Sequence, residues 1–239
     1  MAARWYVTVP TALVAALALL LTGCGDGGGG GTPRSPGGTT SPAPPSPPGG
    51  DETVEDDIDA AVRATDGFWS AHWTELFTGG YRSPQVSGAY DGAAPDVPLC
   101  GDEPLPDDNA VYCPAGDYVA WDLDLMRQGH RMGDAWVYLV IAHEWGHAIQ
   151  SRLNEELVSL AGELQADCLA GAALFGAARD GTLRIEEGDT RELAQALAAL
   201  ADATPWTDTT DHGDASERIA SFSRGAESGV RACLPDVVR

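Results

Sequence analysis

Five consecutive residues, His143-Glu144-Trp145-Gly146-His147, carry the chemistry most directly readable in this chain. Each step along an α-helix turns about 100°, so side chains four apart lie almost in line. On a helix, His143 and His147 therefore offer imidazole nitrogens to one metal ion. Glu144 projects beside them, where it reaches a water on the metal rather than the metal itself. Residues 137–142 are apolar or aromatic, which predicts a buried helix that holds the pair rigidly.

A catalytic zinc on two imidazoles needs a third protein ligand and one open position. Glu163 and Asp167 are four apart in Glu163-Leu164-Gln165-Ala166-Asp167 and so share a helix face. Glu163 comes 16 residues after His147, which leaves room for a turn and a return; it is the expected third ligand. Asp167 is expected to accept the other ring N–H of a ligand histidine, which fixes the tautomer and raises basicity. Without a metal, these residues would be a helical His pair and two solvent-facing acids. The apolar neighbours Leu160, Leu164, Leu169 and Ala170 argue against that reading.

The chemistry expected is metal-assisted amide hydrolysis. Zinc on His143, His147 and Glu163 lowers the pKa of its water toward about 7, and Glu144 moves the proton from that water to the leaving amine. A donor for the oxyanion is also needed, and His212 and Tyr112 are the candidates. A surface loop role is the alternative for each. His72 and His130 read as surface or loop histidines. Two other functions share the motif: a catalytically silent peptidase-fold lipoprotein that binds a partner, and a zinc amidase acting on cell-wall components. An intact Glu144 argues against the first.

These residues resemble the neutral zinc metallopeptidase family of bacterial membrane proteins. The matching pieces are Tyr112-Cys113-Pro114, the 143–147 motif, Glu163 through Cys168, and His212-Gly213 leading to Glu217-Arg218. They run in order between Leu99 and Cys233, more closely in the first two-thirds of that span. Residues 204–215, rich in Thr and Asp, depart from the pattern. The resemblance implies a zincin-like fold and peptidase activity, and it names no substrate.

The elements that must position these groups read as a mostly helical α+β domain with a small antiparallel sheet. Apolar spacing predicts a helix over residues 54–77. Residues 79–108, rich in Gly, Pro and Asp, read as loops with at most one short strand. Residues 109–113 and 117–123 read as a hairpin across Pro114-Ala115-Gly116; its second strand is the candidate for pairing with substrate backbone. Helices follow over residues 134–153, capped by Asp134, then 155–179 and 191–201. A last helix begins after Asp214, where Asp214 and Glu217 form a capping box.

Outside the domain, Arg4 precedes an apolar run at residues 12–21, which ends in Leu21-Thr22-Gly23-Cys24. The run is short for a membrane span and fits a signal peptide over residues 1–23. The terminal four residues resemble a bacterial lipobox, so Cys24 is the expected acylation site and palmitate a fitting label. An ordinary secretory signal and an uncleaved anchor are the alternatives. Residues 24–50 are mostly Gly, Pro, Ser and Thr, a tether between lipid and a domain over 51–239. The expected location is the extracytoplasmic face of a bacterial cell membrane, with the bilayer and a peptide or protein substrate as partners.

The net charge of -22, with no lysine in the chain, argues against nucleic acid as a partner. After Cys24, four cysteines remain, an even number suited to an oxidising compartment. Cys100 and Cys113 flank a turn-rich stretch and are expected to pair; Cys168 and Cys233 pair by elimination, with free thiols as the alternative. Cys168 lies about 140° round the helix from Glu163 and should face away from the metal.

Overall fold

The computed structural model describes residues 53–235. The signal segment, Cys24 and the tether lie outside the described residues. In chain order, helix α1 spans Val54–Leu76, followed by strands β1 (Gln85–Tyr90), β2 (Leu99–Cys100), β3 (Glu103–Pro104), β4 (Ala110–Cys113) and β5 (Tyr118–Asp122). Helices α2 (Leu123–His130), α3 (Ala135–Gln150), α4 (Gly162–Arg179), α5 (Asp189–Ala199) and α6 (Ala215–Ser228) complete the fold, with 3-10 turns at Glu155–Leu157 and Val230–Cys233. The domain is mostly helical α+β, as its patterning predicts.

Helix α3 is the centre of the core. All its side chains except Tyr138, His147 and Gln150 are buried, so it is apolar nearly all round, as a core helix must be. Trp145, in the middle of the 143–147 motif, is fully buried and donates its indole N–H to the Tyr81 hydroxyl at 2.9 Å. Burial of a side chain that large stabilises by roughly 1.5–3 kcal/mol. It therefore fixes the rotation of α3 about its axis and turns His143 and His147 toward α4.

Two glycines set how close the neighbouring helices come. A methyl at Gly146 would lie 2.8 Å from the Ala166 carbonyl oxygen and 2.9 Å from its Cα, so glycine there lets α4 pack directly on α3. A methyl at Gly225 would run into the Cys168 carbonyl, which locks α6 equally close to the other side of α4. Helix α6 begins with the predicted capping box: Asp214 accepts from Ser216 and Glu217, and the Glu217 carboxylate accepts from the Asp214 N–H at 3.1 Å.

The sheet differs from expectation in three ways. Residues 79–108 hold three strands rather than one, and β2 pairs with β3 as a separate two-stranded ribbon. Strand β1 pairs in parallel with β5, while β4 and β5 form the expected antiparallel hairpin. The strand order β1-β5-β4 makes β5 the central strand, with both edges already hydrogen-bonded. This corrects the assignment of residues 117–123 as the strand that adds substrate backbone; any such pairing must use β1 or β4.

The helical segments shift as well. The helix expected from residue 155 starts at Gly162, because residues 155–157 form a 3-10 turn and 158–161 leave helical geometry. Helix α2, not foreseen, is started by Asp122, whose carboxylate accepts from the N–H groups of Asp124 and Leu125. His130 closes α2, and its Nε2 sits 3.0 Å from Asp57 Oδ2. Disulfides join Cys100 to Cys113 and Cys168 to Cys233, as expected. No helix among the described residues is long and apolar enough to cross a membrane.

Candidate metal centre

Helices α3 and α4 bring three ligand atoms together. His143 Nε2 and His147 Nε2 are 3.2 Å apart, and Glu163 Oε2 lies 3.2 Å from the first and 3.3 Å from the second. A tetrahedral zinc with bonds of roughly 2.0–2.1 Å spaces its ligand atoms about 3.3–3.4 Å apart. The triangle found has that size. Two ring nitrogens facing each other and one carboxylate oxygen at such distances need positive charge between them, so the donor set fits a cation. Two other acidic groups, Asp107 with Asp108 and Asp122, and Asp134 with Asp189 and Glu192, contain carboxylates alone and lack the imidazoles that zinc favours.

The outer faces of both imidazoles are held. His143 Nδ1 lies 2.8 Å from Asp167 Oδ1, the contact expected from the sequence. His147 Nδ1 lies 2.9 Å from Gln150 Oε1, a partner the sequence reading did not single out. Each bond leaves Nε2 as the nitrogen that faces the triangle. Asp167 is fully buried and also accepts from Arg218, again not foreseen. Gln150 was findable, since it sits three residues after His147 and so on its face of α3. Arg218 entered the sequence reading only through the family resemblance; its contact with Asp167 has no local signal, because it spans 51 residues of chain.

The electrostatics agree with the geometry. Burial opposes ionisation of Glu163, but hydrogen bonds from His143 and His147 outweigh it and hold the carboxyl well below the usual range. Burial of Asp167 is likewise overcome, by Arg218 and His143, so it stays ionised. Burial disfavours a charged His143, yet the Asp167 charge, the hydrogen bonds its ring donates to Asp167 and Glu163, and the Glu144 charge push it up to about 10. His147 is raised against the same burial, chiefly by Glu163. The cluster as a whole attracts positive charge.

Glu144 is buried, at 8% exposure, and no hydrogen bond or ion pair among the described residues engages its carboxylate. Glu163 and Asp167 are committed to partners, whereas the Glu144 carboxylate is not. His212 projects toward the cluster, its Nε2 3.7 Å from Glu163 Oε2, from a loop tied by its own N–H to Asp202 at 2.7 Å. The Tyr112 hydroxyl instead donates to Asp117 at 2.9 Å and sits 2.9 Å from the Ser151 hydroxyl, so it braces the β4–β5 turn against the end of α3. Cys168 faces Cys233 rather than the triangle.

Residues 100–234 match the model of the family described as "putative neutral zinc metallopeptidase". The chain belongs to this family. No curated protein and no solved structure matches it. The match covers all three candidate ligands, Glu144, Asp167, Arg218 and His212.

Proposed function

We propose that this member of the zinc metallopeptidase family hydrolyses peptide bonds, with zinc on His143, His147 and Glu163 and with Glu144 as general base. The observation that carries this is the triangle of ligand atoms with an unengaged, buried carboxylate one residue along from His143. When bound, zinc supplies a Lewis acid and a water acidified toward about 7. Glu144 would serve as the group that accepts a proton from the attacking water and returns it to the leaving amine. Asp167 and Gln150 keep both imidazoles in the tautomer that presents Nε2. His212 is the donor assigned to the developing oxyanion, since its ring faces Glu163. Tyr112 is not assigned that role, because its hydroxyl is bonded to Asp117.

We further propose that the enzyme works at the extracytoplasmic face of a bacterial membrane, held by acylated Cys24. Support comes from the Leu-Thr-Gly-Cys run and from two disulfides, which persist in oxidising compartments. Its substrates are peptides or proteins.

The test compares the full chain with Glu144→Gln and Glu163→Gln by elemental analysis and by peptide hydrolysis across a proteome-derived peptide library. Wild type should hold one zinc and cleave. Glu144→Gln should hold zinc and lose roughly 10²–10⁴-fold activity, or more. Glu163→Gln should lose both. If Glu144→Gln lost metal while Glu163→Gln kept it, the roles would be reversed. If all three kept metal and cleaved alike, the enzyme assignment would fail.

A further inference from the structure

The support behind His147 is a neutral amide relay, unlike the charged pair behind His143. Gln150 Oε1 faces His147 Nδ1 at 2.9 Å. Gln150 Nε2 donates to the Gly162 carbonyl at 2.7 Å and to Gln165 Oε1 at 3.1 Å. Gln165, only 4% exposed, also accepts from the Ser159 N–H at 2.9 Å and donates from Nε2 to Leu157 O and Cys233 O at 2.8 and 3.0 Å. Both donors and the acceptor of the Gln165 amide are therefore used.

This wiring fixes which way round each amide sits. If the Gln150 amide turned over, its oxygen would face the Gly162 carbonyl and the Gln165 oxygen, and its nitrogen would face the His147 N–H: acceptors against acceptors and a donor against a donor. Gln165 cannot turn over either, because its oxygen would then face two carbonyls. Only one arrangement satisfies all the groups, and in it Gln150 presents oxygen to His147. Gly162 is the first residue of α4 and adjoins Glu163. The same amide therefore ties the second imidazole to the start of the helix that delivers the carboxylate.

We infer that Gln150 is a positioning residue for His147, and that Gln165, through the 159 N–H and the Cys233 carbonyl, holds Gln150 in the required orientation. The inference rests on the zinc assignment above. It assigns a role to the Gln in the 163–167 segment that is neither ligand nor base, and it explains why the turn at Cys233 bears on a site formed by α3 and α4.

The experiment uses the full chain and the Gln150→Met and Gln165→Met variants, which keep side-chain length and remove the amide. Zinc affinity is measured by competition with a chromophoric chelator, and the imidazole N–H protons of the zinc-loaded chain are followed by NMR. Gln150→Met should bind zinc about 10–100-fold more weakly. Its His147 Nδ1–H should lose its downfield, slowly exchanging signal, while that of His143, bonded to Asp167, keeps its own. Gln165→Met should show a smaller loss of affinity; if it does not fold, Gln150→Met decides alone. An unchanged His147 signal in Gln150→Met, or an affinity within twofold of wild type, overturns the inference. A wild type that takes up no zinc removes the metal assignment itself, and the relay's role with it.

Discussion

Arg218 clasps Asp167 with two parallel hydrogen bonds, Nε to Oδ2 and Nη2 to Oδ1, both 2.8 Å. Asp167 Oδ1 is also the atom 2.8 Å from His143 Nδ1. A buried guanidinium on α6 thus reaches a candidate zinc ligand on α3 through one carboxylate on α4. Arg218 Nη1 donates in turn to the Leu200 carbonyl at 2.7 Å, so the guanidinium is held from both ends.

Removing Arg218 should therefore cost stability and metal affinity together. Arg218→Met leaves the Asp167 charge at 0% exposure with only the His143 N–H to meet it, and losses of about 3–5 kcal/mol follow from removing one partner of such a buried pair. Arg218→Lys keeps the charge but not the fork and should recover only part of the loss. The double variant Asp167→Leu/Arg218→Met should regain thermal stability, since neither half of the buried pair is left without the other, yet still bind zinc weakly because His143 has lost its outer partner. Thermal unfolding and chelator competition on the three variants check this. An Arg218→Met chain that matches wild type in both would show that the clasp has no bearing on His143.

A pH-dependent tie lies at the far end of α4, where Asp180 follows its last residue. His72 on α1 sits between Glu75 Oε2 at 3.0 Å and Asp180 Oδ2 at 2.7 Å, and these two hydrogen bonds raise its pKa above the usual histidine value. A pKa raised in the folded chain means stability that is fully present below about 6.5, the unfolded value, and lost as pH rises through the folded one. The site is partly open to solvent, so the contribution should be under about 1 kcal/mol. His72→Gln should therefore unfold a few degrees below wild type at pH 5.5 and level with it near pH 9. An equal difference at both pH values would mean that packing against Phe68, not charge, is what His72 contributes.

The parts of this molecule legible in its sequence are those governed by local spacing. The pairs His143/His147 and Glu163/Asp167 follow from the helical repeat, and the Asp214–Glu217 box marks its helix start without any tertiary information. The hairpin over Pro114 to Gly116 is equally local. What escaped depends on contacts between distant residues. β1 pairs with β5 across roughly thirty residues of loop and short strand, and nothing in Gln85–Tyr90 announces a parallel partner. Strands β2 and β3 are two residues each, too short for alternation to register. Residues 158–161 leave the helix because Gln165 draws the Ser159 N–H and the Leu157 carbonyl onto its own amide. At the site, Arg218 and Gln165 look like ordinary polar residues on a helix; only the packing of α6 and the Cys233 turn against α4 shows what they hold.

Gly146 is the residue of the motif with no chemistry of its own. Exchanging glycine for alanine inside a helix normally stabilises by up to about 1 kcal/mol. At Gly146 the added methyl would meet the Ala166 carbonyl oxygen at 2.8 Å and Ala166 Cα at 2.9 Å, which are backbone atoms that cannot swing aside. Helix α4 must then move outward, and overpacking of this kind costs about 1–3 kcal/mol, more than the helix gains. Glu163 and Asp167 ride on α4, so the displacement also spreads the ligand triangle. Gly146→Ala should consequently unfold at a lower temperature in the presence of chelator and bind zinc more weakly. Gly67→Ala is the control: it lies on the exposed side of α1 with no atom within 4 Å of the added methyl, and should be neutral or stabilising without touching zinc affinity. If Gly146→Ala behaved like Gly67→Ala in both measurements, the close approach of α3 and α4 would not be what sets the spacing of His143, His147 and Glu163.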